Sequence, residues 1–312
     1  MADKQKGPLL RLAGIKSAQL PAATASPEEL TPFITSLLKE SVPFIDTAAP
    51  RAADFTDPAV PAPPASNTLW KSKGSKTHPD STAKIDLSER VVPVDGGADE
   101  TWACRRSVHA DEAARGTASW AEFADCIRDR HPETEDAFTP TVLAHREAVS
   151  WGGAKGAAAV EVGGVAWGRF TLALLEMKHK IPPPLKPRVF PVLQLVASAV
   201  SAPGGGGDGA ERDEFVVVSV TVSDLATGPL KEQASLSLEK GVVVGAYVSV
   251  ERVRRLPGQG EDKGKIEWVM ATASDAKGIL PLFLQTKAIP GQIAKDVGMF
   301  LGWVDKERAK KG

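Results

Sequence analysis

Ser107 and His109 stand two residues apart in the run Trp102-Ala103-Cys104-Arg105-Arg106-Ser107-Val108-His109. The run reads as a strand, so alternation puts both on one face. A histidine so placed could draw the proton from a serine hydroxyl. No third, orienting group is specified for the pair, and the chain contains no Gly-x-Ser-x-Gly elbow. The five histidines and two cysteines are scattered without metal-ligand spacing, so no metal is expected. Cys104 and Cys126 read as small buried hydrophobes in a reducing compartment. The glycines from Gly204 to Gly207 lack the lysine of a phosphate loop, and no cofactor is expected. No acid–base pair stands at usable spacing, so the chain reads as a non-enzyme.

The elements that would position any chemistry are clearer. Ser26-Pro27-Glu28-Glu29 is a helix start, with a capping serine, a proline at the first position and Glu29 completing a capping box. Leu30, Phe33, Ile34, Leu37 and Leu38 then form one apolar face, with a kink expected at Pro32. Residues 47–99 are rich first in Pro and Ala and then in Lys and Ser. They read as a low-complexity linker, anchored at Trp70, Ile85 and Leu87. After the strand from Trp102 to His109 comes a helix over 119–130, with Ser119 as cap and Glu122 at the box position. Pro132 and Pro140 restart helical segments, the last carrying Val142, Leu143, Val149 and Trp151.

From residue 153 the texture changes. Val-rich strands are predicted at 158–162, 165–177, 189–200, 214–222, 242–256 and 265–274. A polar turn after Asp275 leads to a helical apolar stripe over 282–306. Pro290 suits a first helical position there, and Ile293, Val297, Phe300, Leu301 and Val304 share one side. Such an order predicts an α+β fold: a curved antiparallel sheet around a long C-terminal helix, with an N-terminal helical extension. The expected organisation is an N-terminal extension over 1–46, a linker over 47–99, a main domain over 100–306 and a basic tail over 307–312. A sheet that grips a helix encloses space for an apolar molecule.

Composition bounds the partners. The chain has 312 residues, 42% of them apolar, and a formal charge of −1, which supports a real core and no nucleic-acid footprint. No apolar run reaches the roughly 18–20 residues that span a bilayer. The first residues lack a signal-type apolar region and the last carry no lipidation motif, so a cytoplasmic location is expected.

The run from Trp102 to His109 resembles the opening strand of a fungal family of uncharacterised START-like proteins. So do His179-Lys180-Ile181-Pro182, the segment from Arg188 to Leu193, that from Tyr247 to Arg252, and that from Trp268 to Asp275. The resemblance covers roughly residues 100–305. Asp275 to Pro281 is similar to a turn of START domains, and Arg188-Val189-Phe190 to their Arg-Asp-Phe segment, with Val189 replacing the acid. The resemblance implies a helix-grip fold with an internal tunnel for a lipid or sterol and no catalytic machinery.

A ligand cavity needs apolar walls and a few oriented polar groups. Arg106 and Glu251 are expected to pair inside the sheet, as a polar anchor for a head group or as a structural ladder pair. Trp268 and Met270 alternate against Val269, Ala271 and Ala273, whose small side chains suit close helix packing. Which of the two faces is concave is open from sequence. The ligand-binding candidates are Trp102, Arg106, Met177, His179, Arg188, Glu251, Trp268, Met270, Val297 and Phe300. The expected partner is a lipid or other apolar small molecule, with transient membrane contact as an option. Two alternatives stand beside non-catalytic binding and transfer. One is a protein-interaction module whose cavity is plugged by Trp102, Trp167, Trp268, Phe300 and Trp303. The other is a cyclase or hydrolase acting on an apolar substrate. Gly291, Gly298 and Gly302 are expected to loosen the last helix for ligand release.

Overall fold

The computed structural model describes residues 8–50, 69–94, 96–182, 184–201, 211–256, 264–278 and 282–311. Helix α1 (Pro27–Asp46) starts as its sequence dictates. The Ser26 hydroxyl accepts from the Glu29 N–H, and the Glu29 carboxylate accepts from the Ser26 N–H. Leu30, Ile34, Leu38, Val42 and Ile45 on its apolar face are fully buried. Each such side chain contributes about 1.5–3 kcal/mol relative to exposure.

Strands β1 (Lys71–Lys76), β2 (Ile85–Val92) and β3 (Glu100–His109) follow. Then come α2 (Trp120–Phe123), a π-helical stretch over Ala124–Asp129, and α3 (His131–Phe138). The rest of the sheet is β4 (Val142–Ser150), β5 (Val160–Val162), β6 (Val165–His179), β7 (Arg188–Val200), β8 (Glu211–Thr221), β9 (Val243–Val244), β10 (Ala246–Arg255) and β11 (Ile266–Asp275). Helix α4 (Leu282–Lys311) closes the chain. Among the described residues the strand order is β1-β2-β3-β11-β10-β8-β7-β6-β4, with β5 on β6 and β9 on β7. Every pairing is antiparallel except β7 with β9. The fold is therefore α+β, a curved antiparallel sheet gripping its C-terminal helix.

The two faces of the sheet carry two separate cores. The inner face presents Ala103, Phe215, Val217, Val253, Trp268 and Met270 to Ile293, Val297, Phe300, Leu301 and Val304 of α4. The outer face presents Trp102, Cys104, Val216, Val218, Val250, Val269 and Ala271 to α1. The helix suited to the small side chains of β11 is thus α1.

Three expectations are corrected. Within the segment read as linker, residues 71–76 and 85–92 are strands of the sheet. All of β1 is exposed, so its backbone pairing with β2, rather than apolar burial, holds it. Residues 51–68 of that segment lie outside the described residues. Val142 to Ser150, read as helical, is an edge strand on β6. Its Ala, Leu, Arg and Glu favour a helix locally, but the open edge of β6 offers the backbone partners. Pro290 lies inside α4 rather than at its first position. An interior proline gives up one helix hydrogen bond, so local sequence favours the first position, and the helix continues through it nonetheless.

Candidate functional site

One cross-strand row builds the centre of the inner face. Met270 of β11 stands opposite Arg105 of β3 on one side and Glu251 of β10 on the other. Alternation turns all three toward α4. Arg105 Nη2 donates to Glu251 Oε1 at 2.9 Å and lies 3.9 Å from the Met270 sulfur. The same carboxylate oxygen accepts from Trp268 Nε1–H at 2.6 Å. The guanidinium carbon sits 3.9 Å from the Trp268 ring centroid, a cation–π contact. Both charged side chains are buried, at 2% and 6% exposure. Arg105 Nε and Nη1 have no partner. A buried donor without an acceptor costs about 1–3 kcal/mol, so this guanidinium is under-satisfied by its own chain.

Helices α3 and α4 bring further polar groups over this row. His131 Nε2 is 3.9 Å from Glu135 Oε2 and 3.9 Å from Glu251 Oε2. Burial pushes the Glu135 carboxyl up to about 8, helped by Asp296, Glu251 and Asp136. Burial likewise raises Asp296 of α4 to about 6, with Arg105 opposing and Glu251 adding. His131 is held below its ordinary value, chiefly by burial. On β10, burial and then Glu135 raise the Tyr247 phenol, whose neighbours include Ser249 and Thr272. Glu135 keeps 32% of its side-chain surface accessible although the surrounding protein desolvates it. Asp296, Tyr247, Gln194 and Phe190 are likewise only half-buried in this region.

Aromatic rings pack beside this row. Trp268, Phe123 and Phe300 make mutual ring contacts at 5.2–5.4 Å, and Phe138 packs on Phe300 at 5.7 Å. Behind them, Ser107 Oγ and His109 Nε2 are 2.8 Å apart, and both residues are buried. His109 Nδ1 has no partner, and burial with Arg105 nearby lowers the ring to about 3. Among the described residues no three His, Cys, Asp or Glu are grouped to hold a metal ion.

The ligand-binding candidates divide between the faces. Trp268, Met270, Val297 and Phe300 lie in the inner core. Glu251 lies in the central row, and Met177 pairs across strands with Phe190. His179 meets the Phe190 ring edge to face at 5.6 Å, and burial lowers it to about 4. Three candidates are placed elsewhere. Trp102 is on the outer face, 4.6 Å from the Phe44 ring of α1. Arg106 also faces outward and binds Glu267 at 2.7 Å, so the expected Arg106–Glu251 pair does not form; Arg105 takes that place. Arg188 is spent on backbone, donating to the carbonyl of Lys186 just before β7 and to those of Ala276 and Lys277 at the turn that follows β11. Of the residues proposed as a plug, Trp268 and Phe300 point inward, while Trp102 and Trp167 belong to the outer core.

Sequence reading missed Arg105, His131, Glu135, Tyr247 and Asp296 as a group. One signal was present for Asp296. It sits three residues after Ile293 and four before Phe300, a carboxylate inside an apolar helical face. A different missed cluster lies on the outer face. Arg252 binds Asp46 of α1 and donates to Ala49 O and to Glu267, and Arg254 also binds Glu267. Burial works to raise the Glu267 carboxyl, but Arg252, Arg254 and Arg106 outweigh it and bring it down to about 2. This cluster ties α1 to the sheet.

Solved structures similar to this chain include human STARD10, at 14% identity over 78% of this chain and 76% of that one, TM-score 0.48. The human StarD13 (DLC2) lipid transfer and protein localization domain matches at 14% identity over 75% and 88%, TM-score 0.44. Human StAR-related lipid transfer protein 5 matches at 15% over 75% and 86%, TM-score 0.42. No curated protein matches the sequence. The model of the family described as "Protein of unknown function (DUF3074)" matches residues 102–304, from β3 through the buried face of α4, and the chain belongs to that family.

Proposed function

We propose that the protein binds a hydrophobic ligand, without catalysis, between the inner face of its sheet and the helices α3 and α4. The supporting observation is a group of polar side chains set among the apolar residues of the inner face, beside α3 and α4. Glu135 is desolvated but 32% accessible, and the buried Arg105 keeps two donors without acceptors. Walls of this kind suit an apolar molecule with one polar end. Burying about 300 Å² of apolar ligand surface contributes about 7 kcal/mol at about 25 cal/mol/Å², before ordering costs. The ligand class in this reading is a lipid or sterol-like molecule, exchanged at a membrane from a cytoplasmic location. No helix among the described residues is long and apolar enough to cross a membrane. The Ser107–His109 contact does not favour hydrolysis, since both residues are buried with Phe123 and Trp268 packed near the His109 ring, and His109 Nδ1 has no orienting partner.

A second reading has its own observation. The contacts of Trp268, Phe123, Phe300 and Phe138 fill part of the inner face, as an interaction module with a plugged cavity requires. Native mass spectrometry of the purified full chain, followed by solvent extraction, separates the two. A stoichiometric apolar adduct, or uptake from a mixed lipid and sterol panel, is expected. A clean apo mass with no uptake would sink the carrier reading and leave the plugged module.

A further inference from the structure

The groups that face one another at the polar end of the site are unbalanced in charge. β3 supplies Arg105 and His109, β6 His179, β10 Tyr247 and Glu251, α3 His131, Glu135 and Asp136, and α4 Asp296. Burial keeps His109, His131 and His179 neutral, which leaves Arg105 as the cation. Glu251 takes the Nη2 of Arg105. Asp136 is bonded to His145 at 2.8 Å. Glu135 and Asp296 remain. The partner of Glu135 is the neutral His131 at 3.9 Å, and Asp296 makes no hydrogen bond or ion pair among the described residues.

We infer that this end of the site takes an amphipathic amine: a primary ammonium on a long apolar chain, with an acceptor oxygen beside it. The inference rests on the ligand-binding reading above and names the chemistry of its polar end. An ammonium carries three donors and a full charge, which Glu135 from α3 and Asp296 from α4 can share as two acceptors. The neighbouring oxygen of the ligand answers the second observation, the unpartnered Nε and Nη1 of the 2%-exposed Arg105. An anionic head group would meet three carboxyls with one guanidinium already engaged, so a fatty acid is disfavoured. A plain alcohol satisfies Arg105 but leaves the two carboxyls without a cation. In the free protein Asp296 stays protonated only up to about 6, while Glu135 stays protonated up to about 8. An ammonium displaces a proton into solvent, so binding strengthens as pH rises through the range from about 6 to about 8. Two sources share this chemistry, a long-chain amino alcohol and the head group of an aminophospholipid.

The test offers the full-length protein hexadecylamine, hexadecanol and hexadecanoate from neutral phosphatidylcholine vesicles, with adducts counted by native mass spectrometry and proton release by calorimetry in two buffers. Amine binding about tenfold or more tighter than the alcohol is expected, as for a charge-assisted hydrogen bond. Proton release should accompany it, and no carboxylate should bind. In Glu135→Gln and Asp296→Asn, checked for a single cooperative melting transition, the preference for amine should vanish while alcohol uptake persists. Sphinganine and phosphatidylethanolamine, offered separately, tell which source is held. Equal uptake of amine and alcohol, or preferred uptake of the carboxylate, overturns the amine inference and leaves ligand binding intact. Uptake of none of the probes overturns both.

Discussion

Arg105 and Glu251 show how little of a buried ion pair is stability and how much is geometry. Each partner was desolvated to make the contact, and two guanidinium donors stay unanswered. Breaking such a pair leaves an uncompensated buried charge, so Arg105→Met alone is expected to cost about 3–5 kcal/mol in urea unfolding. The double variant Arg105→Met with Glu251→Leu should recover most of that loss, because an apolar replacement needs no partner. Arg106→Ala, one residue along and half out in solvent, should cost about 1 kcal/mol or less. The carboxyls set the response to pH. Glu267 is held down at about 2 against 4.5, so its contribution is complete above about 4.5 and is lost as pH falls toward about 2. Glu135 runs the other way. Its carboxyl stays protonated in the fold up to about 8, while the unfolded chain ionises above 4.5, so stability declines as pH rises across that window. Urea midpoints measured from pH 5 to 8 should therefore slope less steeply downward in Glu135→Gln; an unchanged slope would place the titration elsewhere.

At the scale of the element, α4 is fitted closely to its neighbours rather than merely covering the sheet. A Cβ on Gly298 would stand 2.0 Å from Nδ1 of His78, and one on Gly302 would stand 3.2 Å from the Asp80 carboxylate. Two of the three glycines read as loosening the helix thus admit the turn between β1 and β2. Gly→Ala in a helix ordinarily stabilises by about 1 kcal/mol. Here Gly298→Ala should lower the melting temperature, since the His78 ring must move. In a His78→Ala background the same change should raise it. If Gly298→Ala stabilises in both backgrounds, the close approach is not holding the helix. The strand β1 fits the same picture. It is composed of Lys, Ser and Gly with no apolar face, and Lys73 rests on Glu89 at 2.5 Å. Lysines on an edge strand also discourage further pairing.

For the whole molecule, the sheet is a wall between two cores that depend on different helices. The outer core needs α1, whose Leu30, Ile34, Leu38, Val42 and Ile45 are fully buried and whose Asp46 meets the buried Arg252. A chain starting at residue 51 would expose that face and leave Arg252 short of a carboxylate. It is expected to lose its cooperative urea transition and much of its soluble yield. Cooperative unfolding of that truncated chain would instead make α1 an independent attachment. The inner core needs α4, whose Ile293, Val297, Phe300, Leu301 and Val304 pack on the sheet while Asp296 sets a carboxyl among them.

Local sequence alone determined the start of α1, the cap at Ser119, the apolar stripe of α4 and the alternation of β3 and β11, because caps and periodicity are carried by near neighbours. It sorted Arg105 and Arg106 onto opposite faces. It could not say which face met α4, since that depends on where a helix nearly two hundred residues later returns to the sheet. That one binary choice moved the ion pair from Arg106 to Arg105 and took Trp102 out of the site. The same holds for β1 and β4, which have no apolar period and become strands only when β2 and β6 present open edges. Arg188 resembles a site residue in its motif, yet its carbonyl partners on Ala276 and Lys277 come from a turn far along the chain. Tertiary structure alone brought Glu135, Glu251 and Asp296 within electrostatic reach of one another, because they lie on three elements with no shared local signal.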